Sequence, residues 1–175
     1  MTSTQNPAQR DDAASTFLER CQPGVFVVES PTLARSLTAE AKDQRLFVAR
    51  VDMEQLANHE GFLAGVARAL QFPEYFGDNW DAFEECIRDL EWLPARGYVL
   101  VLNGYDRFAR SDPKSWKIGL DILEEAVSTW SRTATPMYVL LQGSRDGAPG
   151  VSALRCAPKA RSPRPTDRRL PAKQT

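Results

Sequence analysis

Residues 72–90 read Phe-Pro-Glu-Tyr-Phe-Gly-Asp-Asn-Trp-Asp-Ala-Phe-Glu-Glu-Cys-Ile-Arg-Asp-Leu, a Gly-containing loop running into an amphipathic segment. Asn79 is a suitable N-cap, and after it Trp80, Phe83, Ile87 and Leu90 recur at helical spacing, so the segment predicts a helix with a buried stripe. At about 100° per residue, Asp81, Glu84, Glu85 and Asp89 fall on the other side. Seven carboxylates lie between Glu74 and Glu91, against one cation, Arg88. A helix that needs only solubility usually mixes its charges, because unpaired like charges repel and weaken it. An excess of this kind, beside the exposed-type residues Tyr75 and Asn79 in the loop, points to a face built to meet a basic partner.

Residues 72–90 resemble the barstar family, intracellular inhibitors of small secreted ribonucleases of the barnase kind. The family's signature is a Pro-acid-Tyr-aromatic-Gly-x-Asn-x-Asp-Ala run followed by an acid-Cys pair. Pro73, Glu74, Tyr75, Phe76, Gly77, Asn79, Asp81, Ala82, Glu85 and Cys86 match it in order. The resemblance extends from about Arg45 to Gly143. It implies a stoichiometric inhibitor or immunity protein, not an enzyme, whose loop and helix plug a ribonuclease active site with carboxylates where RNA phosphates would bind. By position it implies Tyr75, Asn79, Asp81 and Glu85 as contact residues, with Glu84 and Arg88 beside them; Asp78 completes the candidate partner-binding set. Glu85 stands where the best-known member has Asp, Glu84 where it has Trp, and Arg88 places a cation inside the face. These departures bear on which target is bound rather than on the fold.

Outward from this stretch the chain alternates strand and helix patterns. Val25–Val28, Leu46–Val51, Tyr98–Leu102 and Met137–Leu141 are short apolar runs, and the last two are continuous, as in strands buried on both faces of a parallel sheet. Pro31 is placed to start a helix over Leu33–Lys42. Asn58 can cap a second helix with the stripe Phe62, Leu63, Val66, Ala67 and Leu70. A short helical turn is expected near Tyr105–Arg110. Asp112-Pro113 is a cap followed by Pro at the first helical position, opening a helix with Trp116, Leu120, Leu123, Val127 and Trp130 on its stripe. The pattern predicts an α/β fold: a small parallel sheet of three or four strands packed with helices, barstar-like, with the Val25–Val28 strand and its helix as an added N-terminal unit. The resemblance implies three core strands.

The expected organisation is a polar, disordered tail over 1–14, one domain over 15–143, and a disordered basic, Pro-rich tail over 144–175. Residues 151–175 hold seven Lys/Arg against Asp167, for +6, so residues 1–150 carry −7 of the net −1. The tail could touch RNA phosphates weakly, but it has no interleaved aromatics for base stacking. Hydrophobic residues make up 42% of the chain, enough for a core. Cys21, Cys86 and Cys156 are scattered and odd in number, which argues against a disulfide framework and for a reducing compartment. No apolar run approaches the ~20 residues of a membrane span, and no signal-peptide core is seen, so a cytoplasmic location without a membrane partner is expected.

Catalysis finds little support. The single histidine, His59, lies near a helix start, where a capped or partly buried role is the default. No nucleophile elbow, phosphate loop or metal-ligand spacing accompanies it, and no cofactor or metal is expected. Two alternatives stay open: an acidic docking module for another basic protein, and a hydrolase using Asp81, Glu84 and Glu85 with a metal.

Overall fold

The computed structural model describes Leu18 and residues 21–153. The expected tails over 1–14 and beyond Ala153 lie outside the described residues. β1 (Val25–Val28) leads to α1 (Pro31–Asp43), then β2 (Phe47–Asp52), α2 (His59–Ala69) and α3 (Trp80–Asp89). β3 (Tyr98–Asn103), α4 (Tyr105–Ser111), α5 (Pro113–Trp130) and β4 (Met137–Gln142) follow, then a 3-10 turn (Arg145–Gly147) and β5 (Ser152–Ala153).

The helices begin where local chemistry says they should. Asn58, Asn79 and Asp112 each accept a backbone N–H three residues on, and Pro31 and Pro113 occupy first turns where no N–H is needed. The five strands pair in the order β2-β3-β4-β1-β5, all parallel. Parallel pairing requires crossovers, and the helices supply them while covering both faces. Leu100, Leu102, Val139 and Leu141 point to the side of α2, α3, α4 and α5, where Phe62, Phe83, Phe108 and Leu123 close the larger core. Val99, Val101, Tyr138 and Leu140 point the other way, under Ala34, Leu37 and Ala41 of α1. This is why the β3 and β4 runs are continuously apolar.

Two expectations need correction. The sheet has five strands rather than three or four. β1 sits inside it, with Val25–Val28 in register with residues 139–142 of β4, and β5 adds a second parallel neighbour to β1. The folded chain also continues past Gly143. Ala148 and Val151 are buried, Tyr105 Oη donates to the Ser144 carbonyl at 2.5 Å, and Trp116 Nε1 donates to the Gly147 carbonyl at 2.7 Å. Composition could not show this, because the segment is held by side chains from α4 and α5 and not by an apolar run of its own.

Candidate functional site

The loop before α3 is pinned from below by aromatics. Phe72 packs edge-on against Phe76 at 5.1 Å and Trp92 at 5.7 Å, and lies 6.1 Å from Phe83. Phe76 N–H closes a turn onto the Pro73 carbonyl at 3.0 Å. With both phenylalanines turned inward, the intervening Tyr75 is turned out and is 74% exposed, the one large exposed hydrophobic among the described residues. Its hydroxyl titrates above its ordinary value, through partial desolvation and then through repulsion from Cys86, Asp89 and Glu91.

Asp78 takes the left-handed conformation, with φ of 50°, and so turns the chain into the helix. Asn79 then uses both ends of its amide locally: Oδ1 accepts from Ala82 N–H at 2.9 Å and Nδ2 donates to the Gly77 carbonyl at 3.1 Å. Asn79 therefore fixes the loop-to-helix junction, whatever else it touches. A Cβ on Gly77 would sit 3.0 Å from that Nδ2, so the small residue leaves room for the cap.

Helix α3 is held by Phe83, Ile87 and Leu90, all buried, and by the half-buried Trp80, which leans on Phe62 at 5.7 Å. Trp130 of α5 donates its indole N–H to the Ile87 carbonyl at 2.9 Å. Cys86 is buried, and burial pushes its thiol up. Asp81, Glu85 and Asp89 are exposed on the outer side, with Glu74, Asp78 and Glu91 exposed at its ends. None of these six carboxylates has an ion-pair partner among the described residues.

Glu84 and Arg88 differ from the rest. Arg88 Nη1 lies 2.6 Å from Glu84 and Nη2 lies 3.6 Å from Glu125 of α5. The single cation of the patch is thus matched from within, and the surplus charge is left to the outer acids. Glu125 was missed in the sequence, because no local pattern connects it to α3 from 37 positions beyond Arg88. His59 is exposed at the start of α2, 6.5 Å from the Trp80 ring, rather than partly buried. Among the described residues, no group of three or more His, Cys, Asp or Glu is placed to hold a metal ion, and no helix is long and apolar enough to cross a membrane.

The molecule is thus a parallel α/β domain whose aromatic-backed loop and helix present an acidic face. The sequence model of the family described as Barstar (barnase inhibitor) matches residues 46–142, more than half of the chain, and the chain belongs to that family. The family's members are inhibitors rather than enzymes, in line with the non-catalytic role read from the sequence. A comparison with curated proteins found no match. β1 and α1 lie before the matched residues.

Proposed function

We propose that this protein binds the active site of a small basic ribonuclease and blocks it, as a cytoplasmic inhibitor or immunity protein. The observation that carries the reading is the set of six exposed, unpaired carboxylates beside the exposed Tyr75, on a loop and helix locked by buried aromatics. A ribonuclease cleft is lined with cationic donors for phosphate, and carboxylates satisfy such donors with strong, charge-assisted hydrogen bonds. Tyr75 adds rigid area at low entropy cost, as aromatic anchors do at interface centres. Tyr75, Asp78, Asp81 and Glu85 act as the contact set; Asn79 positions the loop, and Glu84 with Arg88 forms the rim facing α5. Complementary charge speeds encounter, and barnase with barstar is itself the reference case for such steering.

Titration of a cognate ribonuclease decides the matter. The expected result is loss of RNA cleavage at one-to-one stoichiometry, with inhibition weakened by Asp81→Ala. Full ribonuclease activity in the presence of excess protein, across ribonucleases encoded beside it, would overturn the reading. Metal-dependent hydrolysis by the protein alone that disappears in Asp81→Asn would replace it with an enzymatic one.

A further inference from the structure

The other face of the sheet carries a second charged feature. Successive strand residues point to opposite faces, so Arg50 and Asp52 share the α1 side of β2. Their register partners Val101 and Asn103 share it on β3, and Leu140 and Gln142 continue it on β4. Helix α1 covers Val101 and Leu140. Past that row, Asp52, Asn103 and Gln142 stand in line at the carboxyl ends of three parallel strands. Together with Pro31 and Arg35 of α1 and with Arg50, they line a concavity of about 320 Å³.

The lining is charged in a particular way. Neither Arg35 nor Arg50 has a carboxylate within ion-pair distance among the described residues. Arg50 is nonetheless fixed: Nη2 donates to Thr38 Oγ1 at 2.8 Å, and that buried hydroxyl donates to the Ala34 carbonyl at 2.6 Å. This leaves the other donors of the fork for a ligand. The one acid in the lining, Asp52, is engaged at Oδ1, which accepts from Glu54 N–H at 3.1 Å and, across the strands, from one N–H of the Asn103 amide at 3.4 Å. The first turn of α1 holds no acid that would compete for the same guanidinium groups.

We infer that this concavity binds a small phosphomonoester, its phosphate between Arg35 and Arg50 and its polar body against the amides of Asn103 and Gln142. A guanidinium fork matches phosphate bidentately, and ligands of open parallel sheets sit outside the carboxyl ends of the strands. The volume lies at the small end of the ~300–1,000 Å³ common for ligand pockets, which suits a sugar phosphate rather than a polymer. Pro31 and Arg35 precede the family-matched residues 46–142, so the N-terminal unit completes a site that the matched segment alone does not form. It lies across the sheet from α3, so occupancy leaves the acidic face free.

The test is a two-dimensional NMR titration of the full chain with ribose 5-phosphate, with inorganic phosphate and with sodium chloride at matched ionic strength. Saturable shifts at Arg35, Arg50, Asn103 and Gln142, tighter for ribose 5-phosphate than for inorganic phosphate, are expected, with none at Tyr75–Glu91. Arg35→Gln is exposed and cannot unfold the core, and it should weaken binding by about tenfold or more, as loss of a charged hydrogen bond does. Arg50→Gln should do the same, with only a small fall in melting temperature from the lost bond to Thr38, whereas Asp81→Ala should leave the affinity alone. Shifts that follow ionic strength without saturating, equal affinity for both phosphates, or undiminished affinity in Arg35→Gln would overturn the assignment.

Discussion

Asp81 and Glu85 stand one helical turn apart on the outer side of α3, exposed and without ion-pair partners among the described residues. Replacing either by Ala should change stability by no more than about 0.5 kcal/mol, as at other open surface positions. Affinity for the proposed ribonuclease partner should nevertheless fall by ~2–5 kcal/mol, the loss expected when truncation leaves a buried cation opposite it unpaired. Calorimetric binding beside thermal melts separates the two effects, and unchanged affinity in either variant removes that residue from the contact set. Arg88 makes the opposite case. It is the only cation on the face and is held between Glu84 and Glu125, so Arg88→Ala frees two carboxylates. Surface ion pairs contribute only about 0–1 kcal/mol, so the melt should hardly move. Association measured by stopped flow at low salt should become faster, and a slower rate would mean that Arg88 itself touches the partner.

At the scale of elements, α5 and the segment after β4 support each other. Asp112 caps α5, and hydrogen bonds from the Ser115 side chain and backbone hold its carboxyl below the usual carboxylate range. Asp112→Ala should cost about 1 kcal/mol of stability near neutral pH. A depressed folded-state pKa means that the cap's contribution is present above the ordinary Asp range and is lost as pH falls through the lowered value. The gap between parent and variant urea midpoints should therefore close in acid, and a gap that persists would assign the loss to something other than the cap. Residues 144–153 bury Ala148 and Val151 and accept from Tyr105 and Trp116. Ending the chain at Gly143 should lower stability by about 2–4 kcal/mol relative to ending it at Ala153, from lost apolar burial and two lost hydrogen bonds. Equal melting temperatures for the two truncations would show that the segment contributes nothing.

For the whole molecule, the proposed encounter turns on charge, and the alkaline limit turns on buried phenols. Association with a basic ribonuclease should slow steeply as salt rises, since exposed charges are screened over ~10 Å at 0.1 M ionic strength. A salt-independent rate would contradict steering. Burial raises the phenols of Tyr98, Tyr105 and Tyr138, that of Tyr105 from 10.0 to about 12. With folded values above unfolded ones, their contribution is complete below the ordinary tyrosine pKa and is lost as pH rises toward the folded values. Urea midpoints should decline in that alkaline window, and less steeply in Tyr105→Phe. A parallel decline in both proteins would exclude Tyr105 as a cause.

Features that depend on neighbours along the chain were legible in the residues alone. Caps at Asn58, Asn79 and Asp112, the α3 stripe and the continuous apolar runs of β3 and β4 each follow from a local rule of helix ends or strand burial. The dense loop-and-helix signature was equally local, which is why the family and its acidic face were legible. The rest came from packing, because its causes lie far apart in the chain. β5 is two residues long and exists through pairing with β1, well over a hundred positions earlier. Glu125 reaches Arg88 only because α5 packs on α3, and Arg35 and Arg50 line one concavity only because α1 crosses the sheet from β1 to the far edge at β2. Spacing along a chain encodes which face a side chain takes; it does not encode which distant face comes to meet it.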